Sequence, residues 1–267
     1  VTVARKAAPP QRATLNSRST GVVTLSFDVG GTGIKVEALD PAGKPLTDRI
    51  RVPTPYPLTP ERLLEIFKEL AARSPGFDRV SVGFPGVIRQ GTVISAPHFI
   101  REKGDESPVS PELSHAWDRF DLSGRTAEAL GKPARVGNDA EVQGLAVIRG
   151  KGLEVVITLG TGFGTAVFSG GRLSVDLELA HHPCHQGQTY NEYVGDSARR
   201  RIGNARWNRR VQRAVELVRA LLFFDHLYVG GGNAAWVRVD LGGDVSLVDN
   251  AAGVLGGIKL WESSRRR

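Results

Sequence analysis

The sequence predicts an α/β protein built as two related lobes with a cleft between them. A strand, a glycine-rich turn, a second strand and a hairpin follow one another near Asp28, and the same order returns near Gly160. Each copy is followed by helix and strand segments, so the halves repeat one mixed unit. The length, 267 residues, suffices for two lobes with their own cores.

In chain order, residues 1–20 are basic, rich in small residues and free of acid. They lack the hydrophobic segment of a secretory signal and read as a disordered leader. Residues 21–136 form the expected N-terminal lobe. Val22 to Phe27 and Ile34 to Leu39 read as strands around the first glycine cluster, and Asp40-Pro41-Ala42-Gly43 as a turn into a third strand. Thr59-Pro60-Glu61 opens a helix: an N-cap threonine, proline at the first position, then acid. Its buried stripe is Leu63, Phe67 and Leu70. Val80 to Phe84 and Thr92 to Ser95 read as strands around Pro85-Gly86. Arg101 to Pro111 reads as a polar surface loop, Thr126 to Leu130 as a short helix closed by Gly131, and Pro133 to Val136 as a strand.

Residues 137–267 form the expected C-terminal lobe. Ala140 to Ile148 reads as a helix starting after Gly137-Asn138-Asp139. Val155 to Leu159 and Thr165 to Phe168 read as strands around the second glycine cluster, with Ser169-Gly170-Gly171 as a hairpin turn. Trp207 to Phe224 is the longest helix, with Val211, Val215, Val218 and Leu222 as its apolar stripe. Leu227 to Val229 is a strand leading into the third cluster. Asn250 to Trp261 reads as a closing helix, loosened by its glycines, in a position to pack back on the N-terminal lobe.

The formal net charge is +7. Part of the excess lies in the terminal segments, which read as solvated, so nucleic acid is not expected as a partner. No apolar run approaches a membrane span, so no membrane is expected either. Cys184 is the only cysteine. It excludes an intramolecular disulfide and a four-cysteine zinc site, and fits a reducing compartment, the cytoplasm.

Glycine lets backbone N–H groups converge on an anion because no side chain blocks the approach. The hydroxyls of Thr32, Thr161 and Thr165 can add donors, and Asp28 can hold the water shell of Mg²⁺. A P-loop and a dinucleotide fingerprint both need a helix after the turn. Here the two main turns lead into strands, which separates them from both. Asp139, at a predicted helix start, has two readings. It is a helix cap, or it is a general base kept ionised by the helix N-terminus. From these residues alone both stand.

Taken together, Asp28-Val29-Gly30-Gly31-Thr32-Gly33-Ile34-Lys35, Asn138-Asp139-Ala140, Leu159-Gly160-Thr161-Gly162-Phe163-Gly164 and Gly230-Gly231-Gly232-Asn233 resemble, in order and spacing, the ROK sugar kinases of the actin/hexokinase-like superfamily. Bacterial glucokinases, including the polyphosphate-using ones, are the branch they look most like. The resemblance covers about Val22 to Trp261. It implies two actin-like (ribonuclease H-like) lobes closing on a hexose and a phosphate donor, ATP or inorganic polyphosphate, with Mg²⁺.

Carried over by motif, Asp139 is the catalytic base. Asn138, Asp139, Gly86, His98, Glu178, His181 and Glu192 are expected at the sugar. Asp28, Gly30, Gly31, Thr32, Gly33, Lys35, Gly160, Thr161, Gly162, Gly164, Gly231, Gly232 and Asn233 are expected at the donor phosphates.

Three departures stand out. Ala180 replaces glycine in the Glu-x-Gly-His motif at Glu178–His181. His98 stands where relatives usually show asparagine. The cysteine-rich zinc cluster is absent, so no structural zinc is expected. His181-His182-Pro183-Cys184-His185 reads as one sugar-binding histidine with its neighbours rather than a replacement metal site.

Arg206, Arg209, Arg210 and Arg213 share one helix face, preceded by Arg199, Arg200 and Arg201. The favoured reading is a solvated face; were it to line the cleft, it would suit polyphosphate. A homodimer is an open arrangement. The competing function is a non-catalytic sugar-binding or sugar-sensing regulator of the same family. With about twenty residues before the first strand, an N-terminal helix-turn-helix domain is not expected.

Overall fold

The computed structural model describes residues 21–103, 107–174, 177–248 and 252–263. The leader expected over residues 1–20 lies outside them, as do residues 250 and 251 of the expected closing helix. The N-terminal half contains β1 (Thr24–Val29), β2 (Ile34–Leu39), β3 (Ile50–Val52), α1 (Pro60–Ala71), β4 (Arg79–Phe84), β5 (Val87–Arg89), β6 (Thr92–Ser95), α2 (Pro111–Trp117), α3 (Leu122–Leu130) and β7 (Ala134–Asn138). The C-terminal half begins with α4 (Asp139–Val147), β8 (Leu153–Leu159), β9 (Phe163–Ser169), β10 (Arg172–Leu173) and a 3₁₀ turn (Leu179–His181). It continues with β11 (Pro183–His185), β12 (Gln188–Thr189), α5 (Tyr190–Val194), α6 (Asp196–Ile202), α7 (Asn204–Leu222), β13 (His226–Gly230), a second 3₁₀ turn (Ala234–Trp236), β14 (Val245–Leu247) and α8 (Ala252–Ser263).

The repeat legible in the sequence is a repeat of topology. One sheet runs β3-β2-β1-β4-β7 and the other β10-β9-β8-β13-β14. In both, the first strand pairs antiparallel with the next one in sequence and parallel with a later strand on its other side. Each sheet has its own core. Phe27, Phe67, Phe84 and Trp117 fill the first; Phe163, Trp207, Val211 and Val218 fill the second. Among the described residues, no helix is long and apolar enough to cross a membrane.

Several elements depart from the sequence reading, which did not name α5, α6, β5, β11, β12 or β14, and two others are instructive. α2 begins at Pro111, the last residue of the expected loop, and no helix was expected there. Ser110-Pro111-Glu112 repeats the start of α1, and the Ser110 hydroxyl accepts the Leu113 N–H at 3.4 Å. The glycines of α8, read as loosening it, mark its closest packing. A side chain at Gly256 would collide with the Val142 carbonyl of α4, and one at Gly257 would lie 2.5 Å from the Ser26 hydroxyl. α8 thereby lies against α4 and against β1 and β4 of the first sheet. Ser81 Oγ donates to the Gly257 carbonyl at 2.5 Å, and Trp261 Nε1 donates to Ser81 Oγ at 2.9 Å.

Candidate active site

In open parallel arrangements, ligands gather at the carboxyl ends of strands. Here the carboxyl end of β1 carries the first glycine turn, that of β4 leads to Pro85-Gly86, and that of β7 ends at Asn138, beside Asp139. In the second sheet the neighbouring strands β8 and β13 end in the second and third glycine clusters.

Asn138, not Asp139, caps α4. Its Oδ1 accepts the N–H groups of Ala140 and Glu141 at 2.8 and 3.3 Å, while Glu141 returns to the Asn138 N–H at 3.3 Å, completing a capping box. Asn138 Nδ2 donates to the Gly86 carbonyl at 2.9 Å. The side chain expected at the sugar is therefore mostly occupied in holding β7, α4 and Gly86 together, with one amide N–H left over. Capping by Asn138 relieves Asp139 of that task. Among the described residues, Asp139 accepts from the Ala140 N–H alone, at 2.8 Å.

The Asp139 carboxyl is pushed up to about 6, first by burial and then by the negative charge of Asp28; Glu178 adds to the rise, while the Ala140 N–H and His98 oppose it. These influences draw one picture. Asp28 and His98 come from the first lobe and Glu178 from the second, and the charge of each acts on the same carboxylate. A small cavity of about 10 Å³, room for about one water, joins Val87, Ile88 and Asn138 of one lobe to Thr165, Leu173 and Glu178 of the other.

His98 is held by its neighbours. Phe99 packs edge-on to Phe84 at 5.4 Å and tilted against Trp117 at 5.7 Å, fixing the segments that carry His98 and Gly86. The His98 ring lies 3.8 Å from where a Gly31 Cβ would stand. It therefore sits between the first glycine turn and the Asp139 recess.

The glycine turns differ in part from expectation. The Gly30 and Gly160 N–H groups close their own turns, onto Gly33 and Gly162 carbonyls at 3.0 Å each, so they do not point outward to an anion. Gly164 is a strand residue packed on Thr158. Thr165 lies farther along β9, where its buried Oγ1 has no hydrogen-bond partner among the described residues and borders the cavity with Asn138 and Glu178. Its hydroxyl therefore faces the cavity beside Asn138 and Glu178 rather than the second glycine turn. Thr161 and Gly232 are exposed. Gly231, at φ +86°, allows the third cluster to cross Leu159, where a side chain would collide with backbone. Asn233 Nδ2 donates to the Gly160 carbonyl at 3.1 Å, so its amide ties two clusters together.

Lys35 pairs with Asp28 at 2.7 Å, its cross-strand neighbour. Arg51, which sequence reasoning missed, donates to the Thr32 carbonyl at 3.2 Å and would crowd a Cβ on Gly33 at 2.7 Å. It comes from the short strand β3, and only pairing with β2 brings it to the turn.

Two expected sugar residues are not joined to this cluster. His181 is exposed at the end of the 3₁₀ turn. The Glu192 carboxylate accepts from the Thr189 N–H and hydroxyl at 2.8 and 3.1 Å, capping α5. The Cys184 thiol is pushed up to about 11, mainly by burial, so it stays protonated at neutral pH. A cavity of about 360 Å³ beside α7 is lined by Arg219 and Asp244, which bind each other at 2.9 and 3.0 Å. It lies apart from the residues above, and we assign it no role.

Among proteins of known identity, the polyphosphate glucokinase of Mycobacterium tuberculosis (strain CDC 1551 / Oshkosh) is 32% identical over 220 residues, 78% of this chain and 77% of the other. The inorganic polyphosphate/ATP-glucomannokinase of Arthrobacter sp. strain KM superposes with a TM-score of 0.75 at 30% identity, over 92% of this chain and 100% of that one. A ROK family glucokinase from Streptomyces griseus, solved with glucose and AMPPNP, superposes with a TM-score of 0.68 at 18% identity, over 92% and 100% of the two chains. The fold is thus the actin-like one of the ROK sugar kinases. The sequence model of the ROK family matches residues 24–182. This chain belongs to the ROK family.

Proposed function

We propose that this sugar kinase transfers the terminal phosphoryl group of ATP or inorganic polyphosphate to a hexose hydroxyl, turning glucose into glucose 6-phosphate. One observation carries the reading. Asp139 stands at the first turn of a helix already capped by Asn138, and its carboxyl feels the charges of Asp28, His98 and Glu178 from both lobes. The names of the relatives at 32% and 30% identity support both donors and a glucose-like acceptor.

Phosphoryl transfer asks chiefly for positioning and charge neutralisation. Asp139, raised to about 6, is mostly ionised at pH 7 yet basic enough to take a hydroxyl proton. The sugar oxygen bonds to the terminal phosphorus as the bridging P–O bond breaks, the proton goes to Asp139, and ADP or a polyphosphate one unit shorter leaves. Glu178 and the remaining Asn138 N–H hold sugar hydroxyls, with Thr165 beside them. Lys35, Arg51 and the first turn face the donor phosphates. Asp28 fits Mg²⁺ bound largely through water: it is an oxygen ligand, partly exposed, and its charge already disfavours a second charge on Asp139. Mg²⁺ would supply neutralisation of the donor phosphates. The lone cysteine supports the cytoplasm as the compartment.

The test is a matrix of glucose and mannose against ATP and polyphosphate, with purified protein, with and without Mg²⁺. We expect Mg²⁺-dependent glucose 6-phosphate. No turnover in any cell of the matrix would sink the reading.

A further inference from the structure

Beyond the cleft, one surface carries a charge excess that the proposed chemistry does not use. On α7, Trp207, Val211, Ala214, Val215 and Val218 face the core, and Arg206, Arg209 and Arg213 stand exposed on the opposite side. Arg210 lies at the edge. Its guanidinium sits 4.6 Å over the Tyr193 ring and donates to the Tyr193 carbonyl at 3.2 Å. His185, from the β11–β12 hairpin, packs on the same ring at 5.1 Å. The two acids nearest this face are already engaged. Glu216 pairs with Arg213 at 3.2 Å, and Glu192 caps α5. Among the described residues, Arg206 and Arg209 have no ion pair.

This surface is mechanically close to the second glycine turn. Asn191, on the same short helix α5 as Tyr193, accepts the Phe163 N–H at 2.7 Å and stands 2.6 Å from where a Gly162 Cβ would be. So α5 touches the turn through Asn191 and the arginine face through Tyr193. A five-residue helix spans only about 7.5 Å. A nucleotide ends within the cleft, whereas a long anionic chain entering it must leave again. The face of α7 lies one short helix away, with guanidinium groups at 3- and 4-residue spacing.

We propose that the Arg206, Arg209, Arg213 face of α7, with Arg210 and His185 at its edge, is an accessory binding surface for the distal part of a long inorganic polyphosphate chain. Its occupant rests on the donor reading above. The arginines hold phosphates that are not being transferred, so they raise the local concentration of chain ends at the cleft and leave the phosphoryl step untouched.

The test is the triple variant Arg206→Gln, Arg209→Gln, Arg213→Gln, all at exposed positions, so the fold is expected to survive; the melting temperature checks this. We expect kcat/KM with long-chain polyphosphate to fall about tenfold. Values with ATP and with inorganic triphosphate should change less than about twofold, since neither reaches past the cleft. Direct binding of fluorescently labelled long-chain polyphosphate should weaken in parallel, and the slope of log affinity against log salt should shrink by about two.

An equal loss with ATP, an unchanged affinity for the long chain, or failure of the unmodified protein to bind polyphosphate would overturn the proposal while leaving ATP-dependent kinase activity intact. Displacement of the label by single-stranded DNA at equal charge concentration would also overturn it, in favour of an unspecific polyanion surface. If the unmodified protein binds the long chain through these arginines but turns over no donor, the kinase reading fails and the surface stands.

Discussion

The first glycine turn joins β1 to β2 through the four residues after Val29, and the second joins β8 to β9 through the three after Leu159. Both close with the same kind of bond, Gly30 N–H to Gly33 and Gly160 N–H to Gly162 at 3.0 Å. Their surroundings differ. The first is dressed with charge: the Lys35–Asp28 pair, Arg51 over the turn, and the Asp139 recess beside it. The second is held by neutral amides, Asn191 on the Phe163 N–H and Asn233 on the Gly160 carbonyl. The two turns share the backbone device and differ in the side chains around it. The charged turn lies beside Asp139, and the neutral one is tied to α5 through Asn191.

The strongest test of this contrast is Asp139→Asn. kcat should fall about 10³-fold, the scale of a lost general base, with sugar binding retained in a calorimetric titration. The same change should stabilise the fold. A carboxyl raised in the folded state stabilises it least when ionised: that contribution is present below about pH 4 and lost as pH rises to 6. At pH 7 the asparagine variant should therefore be roughly 1–3 kcal/mol more stable, read from denaturant unfolding.

The charges near the first turn should move the acid limb of kcat/KM, expected near pH 6, in opposite directions. Asp28→Asn removes a negative neighbour and should shift the limb to lower pH in its residual activity. His98→Asn removes an opposing positive one and should shift it higher. Shifts of the same sign, or none, would separate Asp139 from the limb.

A matched pair of glycine substitutions probes the two frames. Gly162→Ala drives a methyl to 2.6 Å from Asn191 Oδ1, which is tied to the Phe163 N–H, and should cost about 1–2 kcal/mol. Gly33→Ala meets the far end of the flexible Arg51 side chain at 2.7 Å and should cost under about 0.5 kcal/mol. Melting temperatures would rank them.

A small effect on stability is also expected from Lys35→Met, since its ion pair is about two-fifths exposed on both sides and such pairs contribute under about 1 kcal/mol. The Michaelis constant for the donor should still rise severalfold.

How much was legible follows from the range of the forces involved. The α1 start at Thr59, the α3 stop at Gly131 and the stripe of α7 are local patterns, and all three are seen. α2 carried the same signature as α1, at Ser110-Pro111-Glu112, but a proline-containing polar stretch concealed it. The glycines of α8 misled because their use depends on a partner helix, α4, that no local pattern shows.

By itself the sequence determined the duplicated architecture, the glycine turns between strands and the placing of Asp139 at a helix start, because each depends on neighbours within a few residues. Only the tertiary structure decided which residue caps α4, that Arg51 and His98 stand at the first turn, that Thr165 serves the cavity beside Asn138, and that Glu192 is spent on a capping box. These depend on strand pairing and aromatic packing between segments far apart in the chain. The raised pKa of Asp139 is the clearest case: burial and the charge of Asp28 cause it, and both exist only when the lobes are folded together.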